Sequence, residues 1–224
     1  MVEYSDGREW CVPLTPNRAV ADVTHDVLAA AGNPAFDPTP QEVPWTDPLD
    51  EDREHHTYDR AAVAIYFAAA TRAAQVLADY RAPFRGRSTP VNAWWGSFDL
   101  SVSLFSGRHA TPPSDDFIMR NAMTAQEIAV GWWPGDPRHP RAAFYAYAYP
   151  ANKDFAAATL EPSQARWVDT LGEFVLDWND VCAASDPHAV ALSFARSAFA
   201  HGCRTCDWDE TLADSGLGKP PPVS

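Results

Sequence analysis

The chain has 224 residues, 46% apolar and 12% aromatic, with nine tryptophans. That is enough to bury the core of one sizeable domain, or of two small halves sharing a core. Its net charge of −13 argues against nucleic acid and anionic membrane surfaces as partners, since both select clustered Lys and Arg.

No basic, apolar leader opens the chain, and no apolar run reaches the ~18 residues of a membrane-spanning helix. The four cysteines, Cys11, Cys182, Cys203 and Cys206, are read as reduced thiols of a cytoplasmic protein.

In chain order, "GREWCVPL" reads as a strand and "AVADVTHDVLAAAG" as a helix ending at Gly32, with Val20, Val23, Val27 and Leu28 at helical spacing. Residues Asn33 to Asp52, rich in Pro, Asp and Glu, predict an extended connection. "TYDRAAVAIYFAAATRAAQVLADY" predicts a long helix with Asp59 as N-cap and an apolar stripe of Val63, Phe67, Ala70, Ala74 and Leu77. "VNAWWGSFDLSVSLFSGR" follows as one long strand or a bent pair. "MTAQEIAVGWWPGD" is a strand ending in a Trp-Trp-Pro-Gly turn, and "AAFYAYAY" and "GEFVLDW" are further strands. "DPHAVALSFARSAFAHG" is a helix with Asp186 as N-cap and Pro187 in its first turn. The tail "GLGKPPPVS" is expected to be loose.

There is one internal echo. Ala19, Val20, Ala21, Ala30 and Gly32 align with Ala189, Val190, Ala191, Ala200 and Gly202, each set preceded by a strand-like segment, with spacings that differ by six residues. Either the unit is a common coincidence, or the chain is a pseudo-two-fold of sheet-plus-helix halves with a shortened first half. The second reading divides the chain into residues 1–52, a partial first half; 53–210, the main sheet and helices; and 211–224, a flexible tail.

"WWGSFDLSVSLFSGR", "GWWPG", "AFYAYAYP" and "EHHTYD" together resemble the bacterial family of unknown function DUF5996, from about Asp6 to Trp208. The resemblance implies no activity. Against the family pattern, Asn92 stands in place of a histidine, Gln126 and Glu127 in place of a His-Glu pair, and Leu104 in place of an arginine. His55 matches a family histidine, and a Trp-rich N-terminal segment of the family has no counterpart here. The resemblance therefore implies that chemistry resting on the replaced histidines is altered or lost.

Alternation along one continuous strand puts Trp94, Phe98, Leu100, Val102 and Leu104 on a core face and Trp95, Ser97, Asp99, Ser101 and Ser103 on the other. That second face is either solvated or the floor of a pocket. Tyr145, Tyr147 and Tyr149 share a face, and the alanines opposite them invite close packing by the long Ala-rich helix. The phenols are either exposed or a polar row that binds ligand or donates to a developing oxyanion. Glu127, between apolar neighbours, is an edge charge or a buried acid, and it pairs with Asp99 if their strands adjoin. His55 is either part of a helix-entry loop or a single catalytic histidine. Cys203 and Cys206 have C-x-x-C spacing beside His201, without the second pair a zinc site wants, so free thiols are expected and no metal is assigned. Phosphate-binding loops, dinucleotide fingerprints and nucleophile elbows are missing, so nothing calls for a cofactor.

The expected fold is α+β: a mainly antiparallel sheet with long helices on one face, in two related halves. The expected function is a cofactor-independent enzyme performing cyclisation, isomerisation or hydrolysis on a small organic molecule, with specialised biosynthesis as a setting. Asp99, Glu127 and His55 are its acid/base candidates. Trp94, Trp95, Ser97, Trp132, Trp133, Tyr145, Tyr147 and Tyr149 are its substrate-binding candidates. The alternative is a non-catalytic module binding a small ligand or a protein through the same aromatic surface. A homo-oligomer, or a companion chain supplying the N-terminal segment, is the partner expected beyond a small molecule.

Overall fold

The computed structural model describes residues 1–37, 39 and 47–216. They divide into two units, Met1–Phe67 and the chain from Ala68 onward, with the boundary inside a helix.

In the first unit, β1 (Val2–Glu3) and β2 (Glu9–Trp10) form a two-stranded antiparallel ribbon, followed by α1 (Val20–Ala30) and the start of α2 (Arg60–Arg81). Only Glu9–Trp10 of the predicted "GREWCVPL" strand is extended and paired. Helix α1 stops where predicted, at Gly32, whose φ of 83° is open to glycine at little cost. The Tyr4 hydroxyl donates to the Ala30 carbonyl and ties the ribbon to α1.

Residues 52–56 are bonded to the start of α1. Ala21 N donates to the Asp52 carbonyl at 2.8 Å and Val20 N to that of His55 at 3.0 Å. Of the predicted extended connection, residues 38 and 40–46 lie outside the described residues.

The second unit is built on a six-stranded sheet in the order β3-β4-β5-β6-β8-β7. Its strands are β3 (Asn92–Trp94), β4 (Asp99–His109), β5 (Ala125–Trp133), β6 (Ala143–Tyr149), β7 (Arg166–Val168) and β8 (Glu173–Asp177). Every pairing is antiparallel. With α3 (Phe117–Ala122), α4 (Lys153–Ala156), α5 (Trp178–Ala183), α6 (Pro187–Thr205) and α7 (Glu210–Gly216), the fold is α+β as expected.

The register sorts the two faces. Leu100, Trp132, Phe144 and Leu176 lie side by side across four strands, as do Val102, Val130, Ala146 and Phe174. This face is buried under α6, whose Ala191, Phe194, Ala195, Ala198 and Phe199 are its inner residues. Each large apolar side chain buried here contributes roughly 1.5–3 kcal/mol. Gly202 permits the closest approach, since a Cβ there would come within 2.6 Å of Ile128.

Several expectations change. The alanines of β6 receive α6, not α2. Helix α2 is buried only from Ala70 onward, at Ala70, Ala73, Val76, Leu77 and Tyr80, while Val63 and Phe67 are exposed. The reason is that its C-terminal half has α6 as a partner, through Tyr80 against Phe199. Helix α2 is also long and apolar enough to cross a membrane, contrary to the expectation that no segment is; 22% of its most apolar window is buried. Its many alanines raise hydropathy without forming an obvious apolar run. The echoed segments correspond to β2–α1 and β8–α6; nine residues separate strand from helix in each, and the longer spacing in the second comes from β8 being three residues longer and α6 starting three residues earlier. Of the expected loose tail, residues up to Gly216 form α7, and residues 217–224 lie outside the described residues.

The "WWGSFD" stretch is a bent pair. Trp94 pairs with Asp99 across a turn of Trp95 to Phe98, so no single alternation runs through it. Leu100, Val102 and Leu104 keep the core face, whereas Trp94 and Phe98 leave it and are exposed.

Candidate functional site

The face of the sheet away from α6 carries Asp99, Ser101 and Ser103 on β4, Glu127, Ala129, Gly131 and Trp133 on β5, and Tyr145, Tyr147 and Tyr149 on β6. Strand β8 adds Glu173, Val175 and Asp177. This face is covered: Asp99 is 7% exposed and Glu127 5%. A small apolar cluster of Trp133, Ala143 and Val175, with Val168 and Leu171 against it, forms part of the cover.

Asp99 is held from two sides. The β3–β4 turn passes through Phe98 at φ 54°, a left-handed conformation costing roughly 1–2 kcal/mol for a non-glycine residue. It brings Ser97 back so that its hydroxyl donates to Asp99 Oδ1 at 2.5 Å. The Tyr145 hydroxyl donates to Asp99 Oδ2 at 2.5 Å. Tyr145 stands on β6 and Asp99 on β4, with β5 between them. The ring crosses at Gly131, where a Cβ would lie 2.3 Å from Tyr145 Cζ. Glycine at 131 is therefore a condition of the Asp99–Tyr145 bond.

A second tyrosine–carboxylate pair lies alongside. The Tyr147 hydroxyl donates to Glu127 Oε1 at 3.3 Å, and the Tyr145 and Tyr147 rings stack with centroids 6.4 Å apart. Burial pushes both phenols well above their ordinary range, and the negative carboxylates beside them push further, so both remain protonated donors. Burial also raises the Glu127 carboxyl, partly offset by bonds from Ser103 and Tyr147.

Glu173 completes the group. Burial pushes its carboxyl up to about 7; Arg138 opposes the shift, and the negative charges of Asp99 and Asp136 add to it. Its carboxylate takes no hydrogen bond among the described residues. Arg138 is committed to Asp136, donating from Nη2 at 2.6 Å and Nε at 3.0 Å.

These groups border an open pocket of about 180 Å³, lined by Ser97, Asp99, Tyr145, Tyr147 and Glu173, by Trp133 and Leu171, and by Asp136 and Arg138. The segment carrying Asp136 and Arg138 is pinned beneath by Asp177, which is bonded to His139 Nε2 at 2.8 Å, Arg166 at 3.2 Å and Arg141 at 3.3 Å. Burial would raise the Asp177 carboxyl, but bonds from Arg166 and His139 hold it below the usual carboxylate range. The His139 ring in turn lies against Trp133, at 5.5 Å.

The structure therefore gathers Ser97, Asp99, Trp133, Tyr145 and Tyr147 of the predicted set. It separates others. Asp99 and Glu127 are on adjacent strands, but Glu127 is opposite Phe105, six positions from Asp99 and about 20 Å along the strand, so each acid has its own tyrosine and they are no pair. Trp132 is on the opposite face, buried against Trp178. Trp94, 46% exposed, donates its indole N–H to Ser101, and Trp95, 50% exposed, is in the turn; neither lines the pocket. Tyr149 donates to the Thr111 carbonyl and anchors that loop. His55 belongs to the first unit, where its Nδ1 bonds the buried Asp52 at 2.8 Å.

Glu173, Asp136 and Arg138 are absent from the predicted set. The signal for Glu173 was present: in "GEFVLDW", Glu173, Val175 and Asp177 share one parity and Phe174 and Leu176 the other. Among the described residues, no group of three or more His, Cys, Asp or Glu is placed to hold a metal ion. Cys203 lies buried on α6, where burial pushes its thiol up to about 12, far from a reactive thiolate. A larger cavity, about 350 Å³, lies on the helix side between Val76, Phe144, Trp178 and Val181. Its polar groups, Arg72, Asp186 and His188, are all exposed, so it lacks the buried, convergent acids of the smaller pocket.

The sequence profile of a family of unknown function, DUF5996, matches residues 1–215. No curated protein and no solved structure matches the chain.

Proposed function

This chain belongs to the family of unknown function DUF5996, and from that premise we propose that it is an enzyme moving protons on a small organic molecule bound against Asp99, Tyr145 and Glu173. The observation that carries the reading is the convergence, on one pocket, of a hydrogen-bonded Asp99–Tyr145 pair and a separate carboxyl, Glu173, that no described residue bonds. Glu173, with its pKa pushed up to about 7, is populated in both protonation states near neutrality, which is what a general acid or base requires. Asp99 has lone pairs left after accepting from Ser97 and Tyr145 and orients a donor group of the substrate. Trp133 and Tyr147 wall the site. Isomerisation, cyclisation and hydrolysis all fit such a proton-transfer set.

The test begins with native mass spectrometry of the purified full chain, to identify a carried small molecule, followed by turnover assays on it and its analogues. Glu173→Gln is expected to lower kcat by about 10²–10⁴-fold, the usual contribution of a positioned acid or base. In the wild type, kcat/KM is expected to titrate near pH 7 through Glu173. Full turnover in both Glu173→Gln and Asp99→Asn would end the proposal. A second reading, a non-catalytic binding module, draws on the tight bonding of both Asp99 oxygens, which suits a rigid recognition surface. A carried ligand recovered unchanged after long incubation favours it.

A further inference from the structure

The charge balance of this pocket narrows what it accepts. Among the described residues Arg138 is the one cationic side chain lining it, and its guanidinium is already forked onto Asp136. Taken together those two are neutral. What remains is two carboxyl groups, the buried Asp99 and Glu173. An anionic ligand would meet two carboxylates with no free cation to offset them. The remaining walls are the rings of Trp133, Tyr145 and Tyr147. Trp133 meets Tyr145 edge-on at 75°, and Tyr145 stacks on Tyr147 at 2°, so differently directed ring surfaces border one small space. Ring faces carry the negative end of the aromatic quadrupole and attract cations, most strongly where water is excluded. A bare metal ion is a poor match, because no metal-holding cluster exists among the described residues.

We infer that the molecule bound here is a small organic cation, an ammonium group or a protonated amine, seated among the Trp133, Tyr145 and Tyr147 rings with Asp99 and Glu173 as its counter-charges. This deepens, and rests on, the reading of the pocket as the substrate site. It carries a linkage. The charged and titratable groups facing Glu173 are Asp99 from β4, Tyr145 and Tyr147 from β6, and Asp136 and Arg138 from the segment after β5. Asp99 and Asp136 disfavour ionisation of Glu173, and an arriving cation opposes them. Binding a cation therefore releases the Glu173 proton, and affinity rises with pH through neutrality.

The full chain is titrated with choline, with its neutral isostere 3,3-dimethylbutan-1-ol, and with the anionic 3,3-dimethylbutanoate, following the amides of Gly131 and Leu171 and the Trp133 indole by NMR. Choline is expected to bind about tenfold tighter than the neutral isostere, and the anion weakest. Choline affinity is expected to rise severalfold from pH 6 to pH 8, with the isostere flat, and Glu173→Gln is expected to remove that rise. If the isostere binds as well as choline, or the anion binds best, the cation inference falls and the pocket stands as a ligand site. If no probe moves these signals, the inference falls together with the pocket reading. The comparison of probes is made on the wild type, so it does not depend on any variant folding.

Discussion

Gly131 and Glu173 are the positions where one residue decides the state of the site. A side chain at 131 would collide with the Tyr145 ring that passes over it to reach Asp99. Gly131→Ala is expected to cost about 1–3 kcal/mol from overpacking and to displace the Tyr145 ring. Urea unfolding reads the cost, and near-UV circular dichroism reads the ring. Glu173 acts through pH. Its folded pKa, about 7, lies above the ordinary 4.5, so the folded chain binds its proton more tightly than the unfolded chain does. Its effect on stability is therefore most favourable below about pH 4.5 and is lost as pH rises through 7, a difference of about 3 kcal/mol. Glu173→Gln is expected to stabilise the protein at pH 8 by up to that amount and to change little at pH 5, by denaturant titration at both. Equal effects at the two pH values would contradict the assignment. Asp99, Tyr145 and Tyr147 were legible from alternation because parity along a strand needs only local order, whereas Ser97 reaches the site through the β3–β4 turn. Glu173 was passed over because a lone acid opening a short strand resembles an edge charge, and the charges that act on it, those of Arg138, Asp136 and Asp99, come from residues 35 or more positions away.

Among elements, α6 was the most legible and is the one that covers the core face. Asp186 caps it by accepting from Ala189 N, with Pro187 in the first turn, as its sequence signals predict. Asp186→Ala is expected to lower stability by about 1 kcal/mol, read as a fall in Tm, with the pocket unaffected. The strands β5, β6 and β8 were legible because they alternate over five to nine residues. Strand β7, three residues long, had too little sequence to alternate. The β3–β4 hairpin defeated simple parity because its turn bears aromatic residues, and the left-handed backbone falls at Phe98 where glycine would be the usual marker.

At the scale of the whole molecule, protection is expected to follow the layers of the second unit. Strands β5 and β6 are paired on both sides and lie beneath α6, so their amides are expected to exchange last in hydrogen–deuterium exchange, and those of the β1–β2 ribbon early. A ribbon as protected as β5 would contradict that order. By itself, the sequence determined the α+β class, the existence and approximate limits of the long helices and main strands, and which residues of each strand share a face. These depend on periodicity and capping, which are properties of neighbouring residues. Only the tertiary structure decided that β8 lies beside β6, that α6 rather than α2 covers the sheet, that Trp132 is core while Trp133 lines the pocket, and that Asp99 has Tyr145 rather than Glu127 as its partner. Those outcomes depend on strand order and register. Both are set by which buried surfaces fit together across long stretches of chain, and parity within one strand carries no record of its neighbour.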